Sequence, residues 1–395
     1  MFRSRRQVHN GPDMSRLLRC LRHAVLRALR SAPPALAALG LLLLAAPLQA
    51  QSIAFINPGH ADEAFWRSAS QAMEAAASSL GLKLEVLYAE RDPERTVALS
   101  RELAQRPAGQ RPDYVVLSND KGVLVACAQN LAAAGIKSFA AFSGLLPQEQ
   151  QRFSPRRGLP LLVGSLEPRA QDAGYLSGRA LLEQGLARRL HGADGRLHLV
   201  SIAGDRSTPS SIQRNQGLRQ ALAEHPQVDL DAQTFADWRR DQARERMLGL
   251  LQRGAAPQLV WAGSDLMAFG AMEAAESRAL KPGRDLLFAA INTSDEAMQA
   301  LIDGRLSALV GGHFLTGAFA LVMLHDLHQG RDFIDEGLSL ERPLFMRFDR
   351  AAAQRFLARP DLRELDFRRF SKVHNPRLRR YDFNPQVLLD SGAKH

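Results

Sequence analysis

Short apolar runs alternate with helical stretches from residue 52 onward, and that alternation restricts the chain to few folds. Ile53–Ile56 reads as a strand, Ala64–Leu80 as a helix and Leu84–Tyr88 as a strand. Helix 93–105, strand Tyr114–Leu117, helix 122–134 and strand Ser138–Phe142 follow. Each strand is brief and mostly apolar, as expected of parallel strands buried on both faces. Such a βαβα succession implies a doubly wound sheet with right-handed crossovers. A polar, proline-bearing loop, "PQEQQRFSPRRGLP" (147–160), then interrupts the pattern. The alternation restarts at Leu161–Gly164 and continues to a strand at Leu286–Ala290, a short block from Ala308 and a helix over 316–329. One half repeats the architecture of the other. The expected fold class is therefore α/β: two doubly wound parallel-sheet lobes joined by a hinge, with a ligand cleft between them. Ligands of open α/β sheets bind beyond the carboxyl ends of strands, which is where Phe65 and Trp66 fall.

The front of the chain is different. "SRLLRCLRHAVLRALR" is basic, and an apolar run from Ala35 to Ala46 leads to small residues ending at Ala50. That order matches a cleaved secretory signal peptide over residues 1–50. About a dozen apolar residues are too few for a span of about 20. Met14 is an alternative start to Met1. The leader also dominates the charge. The chain is +10, but residues 1–50 carry eight Arg and one Asp, leaving 43 basic and 40 acidic residues beyond them. Binding to nucleic acid is therefore not expected. "WRRDQARERM" (238–247) mixes both signs and reads as a solvated helix face. Outside the leader Cys127 is the single cysteine, so no internal disulfide is expected, and its helical apolar setting makes it a packing residue. A soluble periplasmic protein fits these features.

No nucleophile elbow, P-loop, dinucleotide fingerprint or His/Cys metal spacing is present, and the eleven histidines are scattered. No enzyme activity, catalytic residue, metal or cofactor is expected.

Five segments in order resemble the type I periplasmic solute-binding proteins, the sugar-binding group that includes ribose- and galactose-binding proteins. The lac-repressor effector domain is a more distant relative. The segments are "IAFINPGHADEAFW", "DYVVLSNDKGVLVACAQNLAAAGIKSFAAFS", "VGSLEPRAQDAGYLSGRALLE", "IAGDRSTPSSIQRNQGLRQAL" and "WAGSDLMAFGAMEA". The resemblance covers about residues 52–350. It implies an N-terminal lobe of 51–163 plus about 313–342 and a C-terminal lobe of 164–312 plus about 343–355. The C-terminal extension would be 356–395.

The resemblance also implies ligand positions. Phe65 and Trp66 match stacking aromatics, and Glu90 lies near a polar contact. Phe142 and Ser143 stand where sugar binders carry Asp-Arg, and Arg214 matches the Arg of Arg-x-x-Gly. Ser264 replaces an Asn before the matching Asp265, Asn292 replaces an Asp, and His313 replaces a Gln. Ser264 and Asn292 also suit helix capping, and His313 also suits a hinge or core place. With two acids replaced, the cleft is less acidic and more aromatic than a plain monosaccharide site. A modified sugar, a furanosyl signal or an anion paired with Arg214 enters consideration.

The implied function is a monomeric periplasmic solute-binding protein. It closes on a sugar or sugar-like molecule and delivers it to the membrane permease of an ABC transporter. The alternative is a protein that presents its closed form to a membrane sensor kinase or similar receptor. "LSLERPLFMRFD" (338–349) reads as one closing strand. The basic, aromatic stretch 360–389 either packs along a lobe or meets a membrane partner.

Overall fold

The computed structural model describes residues 50–390, residue 360 excepted. The expected leader, apart from Ala50, lies outside them. The chain forms β1 (Ser52–Asn57), α1 (Ala64–Leu80), β2 (Lys83–Tyr88), α2 (Pro93–Gln105), β3 (Tyr114–Leu117), α3 (Leu124–Ala133) and β4 (Lys137–Ala141). A short helix, α4 (Pro147–Gln150), and two two-residue strands, β5 (Ser154–Pro155) and β6 (Gly158–Leu159), lead to β7 (Leu162–Pro168). Next come α5 (Ala170–Ala187), β8 (Leu197–Ala203), α6 (Pro209–Ala223), β9 (Val228–Phe235), α7 (Arg240–Gln252), β10 (Leu259–Ala262) and α8 (Asp265–Glu276). β11 (Leu287–Ile291), α9 (Asp295–Ile302), β12 (Ala308–Gly311), α10 (Thr316–His328), β13 (Ser339–Arg342), β14 (Met346–Phe348), α11 (Arg350–Leu357) and α12 (Val387–Asp390) complete it.

Two six-stranded sheets result, ordered β13-β7-β4-β3-β1-β2 and β14-β12-β11-β10-β8-β9. Pairing is parallel throughout, except that β14 runs antiparallel to β12. Every residue of β3, β10, β11 and β12 is buried, as the apolar runs required. The edge strands β2 and β9 are partly exposed. Some helix starts carry side-chain caps. Asp92 accepts from the Glu94 amide with Pro93 in the first turn, and Asp349 accepts from that of Ala352.

Three readings from sequence need correction. β7 belongs to the first sheet through Pro168, so the first crossing falls there and not at 163/164. The cap of α9 is Ser294, whose Oγ accepts from the Ala297 amide; Asn292 does not cap it. The single closing strand of 338–349 is two strands, because Pro343–Phe345 carries the chain between lobes. β13 pairs with β7 in the first sheet and β14 with β12 in the second. The chain thus crosses between lobes after Pro168, between Gly311 and α10, and between β13 and β14.

The tail is part of the fold. Phe367, Phe370, Tyr381 and Phe383 are buried, and Phe383 stacks on Phe319 of α10 at 4.5 Å between ring centres. The segment 362–370 packs on α1 and α10 of the first lobe, and α12 then meets α11 of the second. Asp326, wholly buried in α10, ties it down. Its carboxylate accepts from Ser371 Oγ (2.5 Å), the Lys372 amide (2.6 Å) and Tyr381 Oη (3.1 Å). Burial opposes its charge, but hydrogen bonds from His325, Ser371, Lys372 and Tyr381 bring its pKa below the usual carboxylate range. Among the described residues no helix is long and apolar enough to cross a membrane.

Candidate functional site

Each lobe offers a tryptophan laid on a glycine just past the first strand of its sheet in chain order. After β1, Asn57 Oδ1 accepts from the Gly59 amide (2.9 Å), and its Nδ2 donates to the Trp66 carbonyl (3.3 Å) and Ser70 Oγ (3.0 Å). That turn starts α1 with Phe65 and Trp66 in its first turn. A Cβ on Gly59 would strike the Trp66 indole, so only glycine admits this approach. After β8, Gly204 meets Trp238 in the same way. Trp238 has φ 63° in the turn before α7, and its indole N–H donates to Asp205 Oδ2 at 2.6 Å.

These walls bound a cavity between the lobes with about 600 Å³ of space, open solvent at its mouth included. Phe65, Trp66 and Phe142 line it from the first lobe, with ring centres 4.9 and 5.1 Å apart along that order of contacts. Trp238 and Phe345 line it from the second. His313 follows β12 at the second crossing and stands between the walls, 4.6 Å from the Phe65 ring and 4.3 Å from that of Phe345.

Arg214, on α6, is buried between Trp238 and Phe345, 5.3 and 5.9 Å from their ring centres. It donates to the Gly263 carbonyl (2.6 Å), and its Nη2 lies 2.9 Å from His313 Nε2. A guanidinium only donates, so His313 Nε2 accepts and the imidazole carries its proton on Nδ1. Burial, then the Arg214 charge, pulls the His313 pKa well below its ordinary value. Burial likewise brings that of Arg214 down to about 10, against the pull of Asp265.

A polar chain runs across the cleft. Arg91 binds Glu63 through two nitrogens and lies 3.5 Å from Asp120. Asp120 Oδ1 is 3.0 Å from Thr208 Oγ1 in the other lobe, which is also 2.6 Å from Asp205 Oδ2. Burial opposes the charge of Arg91, but Glu63, Asp120 and Asp205 raise its pKa above the ordinary guanidinium value. The charged lining residues balance: Glu63 and Asp120 against Arg91 and Arg214.

Three buried N–H groups of the lining residues have no hydrogen-bond partner: Trp66 Nε1, Arg214 Nε and His313 Nδ1. An unmet buried donor costs about 1–3 kcal/mol, and three of them on residues that line one cavity suit a ligand with acceptor oxygens.

Of the residues expected from sequence, Phe65, Trp66, Phe142, Ser143, Arg214, Ser264, Asn292 and His313 line this cavity. Glu90 does not. It and Arg91 both adopt left-handed φ, 54° and 62°, and the resulting turn sends Glu90 outward to His60 (2.6 Å) and Arg91 inward. Asp265 stands behind the lining, accepting from Asn292 Nδ2 (2.9 Å) and the Leu266 amide (2.9 Å). It orients Asn292, and burial raises its pKa. Ser264 does cap α8, its Oγ 3.4 Å from the Met267 amide.

Glu63, Arg91, Asp120, Thr208, Trp238 and Phe345 were not anticipated. Trp238 was read as part of a solvated helix face. Its place just after β9, matching Trp66 after β1 as an aromatic at a helix mouth, was the available signal.

The family described as "Periplasmic binding protein domain" matches residues 53–332. A crystal structure of a periplasmic sugar-binding protein from Pseudomonas fluorescens is 40% identical, with TM-score 0.77 over 86% of this chain and 99% of that one. The D-apiose import binding protein of Actinobacillus succinogenes is 25% identical over 64% of this chain and 73% of its own length. The galactofuranose-binding protein YtfQ of Escherichia coli is 27% identical over 29% of this chain, and the match spans only 36% of that protein.

Proposed function

The chain belongs to the periplasmic binding protein domain family, and from that premise we propose that its cleft closes on a small neutral sugar in furanose form. The closed protein then delivers the sugar to the membrane permease of an ABC importer. Three unmet N–H donors between aromatic walls from both lobes are the observation that carries this reading. Aromatic faces suit the C–H faces of a sugar ring, and buried donors suit its hydroxyl oxygens. Ser264 and Asn292 add groups able to accept from those hydroxyls. An anion would meet Glu63 and Asp120, with Asp205 and Asp265 behind them, against two guanidiniums already engaged by protein partners. Two relatives named for furanose-forming sugars, galactofuranose and apiose, support the ring form.

Contact with both lobes is what lets a ligand stabilise the closed state. A thermal-shift panel tests the class. D-Apiose, L-arabinose and methyl β-D-galactofuranoside are set against gluconate and a sugar phosphate. Stabilisation at 100 times Kd is worth about 2.7 kcal/mol. At least one neutral sugar is expected to raise Tm by several degrees, and the anions not. A shift confined to the anions would reverse the charge argument.

A further inference from the structure

Phe142 lines the cavity with φ 70°, a left-handed conformation that is uncommon for a bulky side chain and persists only when its surroundings impose it. The restraint comes from β7 and from Asn119. The Phe142 amide donates to the Leu166 carbonyl (3.2 Å). The Ser143 carbonyl accepts from the Asn119 amide (2.9 Å), and the Gly144 carbonyl from Asn119 Nδ2 (2.8 Å). The Gly144 amide donates to Glu167 Oε2 at 2.7 Å, while Glu167 Oε1 accepts from Ser165 Oγ at 3.0 Å. A Cβ on Gly144 would strike the Glu167 carboxyl, so the loop sits directly on it.

We propose that Glu167 is a positioning residue for the cleft, holding Phe142 and Ser143 against the cavity through the Gly144 amide from the strand that enters the first crossing. Its place gives it a second connection. Glu167 is the register partner of Glu341 on β13, the strand of the third crossing, and Pro168 beside it lines the cavity. Backbone pairing of β7 with β13 at Glu167, and the carboxyl bond of Glu167 to Gly144, therefore link two of the three inter-lobe segments to the wall that meets the ligand. The proposal rests on the cleft assignment above.

The group also titrates near neutrality. Burial pushes its pKa up to about 7, helped by the like charge of Glu341, against the bonds from Gly144 and Ser165. Glu341 faces it from β13, and Glu149 on α4 shares Asn119 with the loop. Protonation at Oε1 leaves the Gly144 bond intact, because the Ser165 hydroxyl can turn to accept. A carboxyl raised in the folded state contributes stability that is full below its unfolded pKa of about 4.5 and lost as pH rises through about 7.

Amide exchange over residues 139–146 and binding of methyl β-D-galactofuranoside are to be compared for wild type, Glu167→Ala and Glu167→Gln at pH 7. In Glu167→Ala, Gly144 protection is expected to fall at least tenfold, with binding weakened about tenfold. Glu167→Gln, whose carbonyl still accepts, is expected to restore both within about threefold. Its Tm should also gain on that of wild type as pH rises from 5 to 8, a trend that lost packing does not produce. Unchanged Gly144 protection in Glu167→Ala, or a Glu167→Gln to wild-type Tm difference that is flat with pH, would overturn the assignment. If the furanoside binds no variant, including wild type, the ligand reading fails while exchange and melting still decide the role of Glu167.

Discussion

A chain ending at Ala358 is expected not to reach the native state. The residues removed include Phe367, Phe370, Tyr381, Phe383, Val387 and Leu388, each at most 5% exposed. Burying a large apolar side chain is worth about 1.5–3 kcal/mol, so these six together represent roughly 9 kcal/mol or more before ordering costs. Whole domains are stable by about 5–15 kcal/mol. The deletion also strands Asp326 in α10 without Ser371, Lys372 and Tyr381, leaving a buried carboxylate short of donors. Phe383→Ala is the milder version and should cost about 3–5 kcal/mol through the cavity beside Phe319. Circular dichroism melting checks both. A truncated chain that melts within a few degrees of the full one would show the tail to be an appendage.

Arg214→Ala is expected to abolish most ligand binding. It removes a guanidinium whose Nε has no protein partner and which stands among Trp238, Phe345 and His313. Charge-assisted hydrogen bonds are worth about 1.5–3 kcal/mol each, so loss of the one its Nε offers makes a roughly ten- to hundredfold rise in Kd the expected outcome. Stability should fall too, since the Gly263 carbonyl and His313 Nε2 lose their donor. The imidazole supplies an independent check. Arg214 is one of two causes holding His313 neutral, so its pKa should rise toward the ordinary value in the variant, with burial still opposing. Histidine NMR reads that shift. Because His313 takes up a proton in the unfolded chain but resists it when folded, acid below about pH 6.5 should destabilise wild type more than Arg214→Ala. Normal binding by Arg214→Ala would remove the cleft from the account.

The alternation of strands and helices was legible because strands buried on both faces leave continuous apolar runs, as in "YVVL" and "LVWA". The aromatic platform was legible for a related reason. Phe65 and Trp66 stand where a strand hands over to a helix, and the fold class puts that junction at the cleft. Arg91 was not, because three charged residues follow β2 and only the backbone turn at Glu90 and Arg91 decides which faces inward. Trp238 was hidden by its neighbours: "WRRD" reads as a polar helix, yet the tryptophan precedes α7 and bonds Asp205. The two-strand crossing at 338–349 escaped because apolar residues recur on both sides of Pro343, from Leu338 and Leu340 to Leu344, Phe345, Met346 and Phe348. The tail's interleaved bases and aromatics admitted two readings; in the structure the aromatics are buried against α10, while Arg377, Arg379 and Arg380 are exposed.

Calorimetric titration with methyl β-D-galactofuranoside and methyl β-D-galactopyranoside tests the central claim most directly. The two are neutral isomers that differ in ring form alone. One furanoside per chain, bound at micromolar Kd or tighter and at least a hundredfold better than the pyranoside, is the predicted result. Equal or tighter binding of the pyranoside, or no heat from the furanoside where gluconate binds, would contradict a cleft built for a neutral furanose.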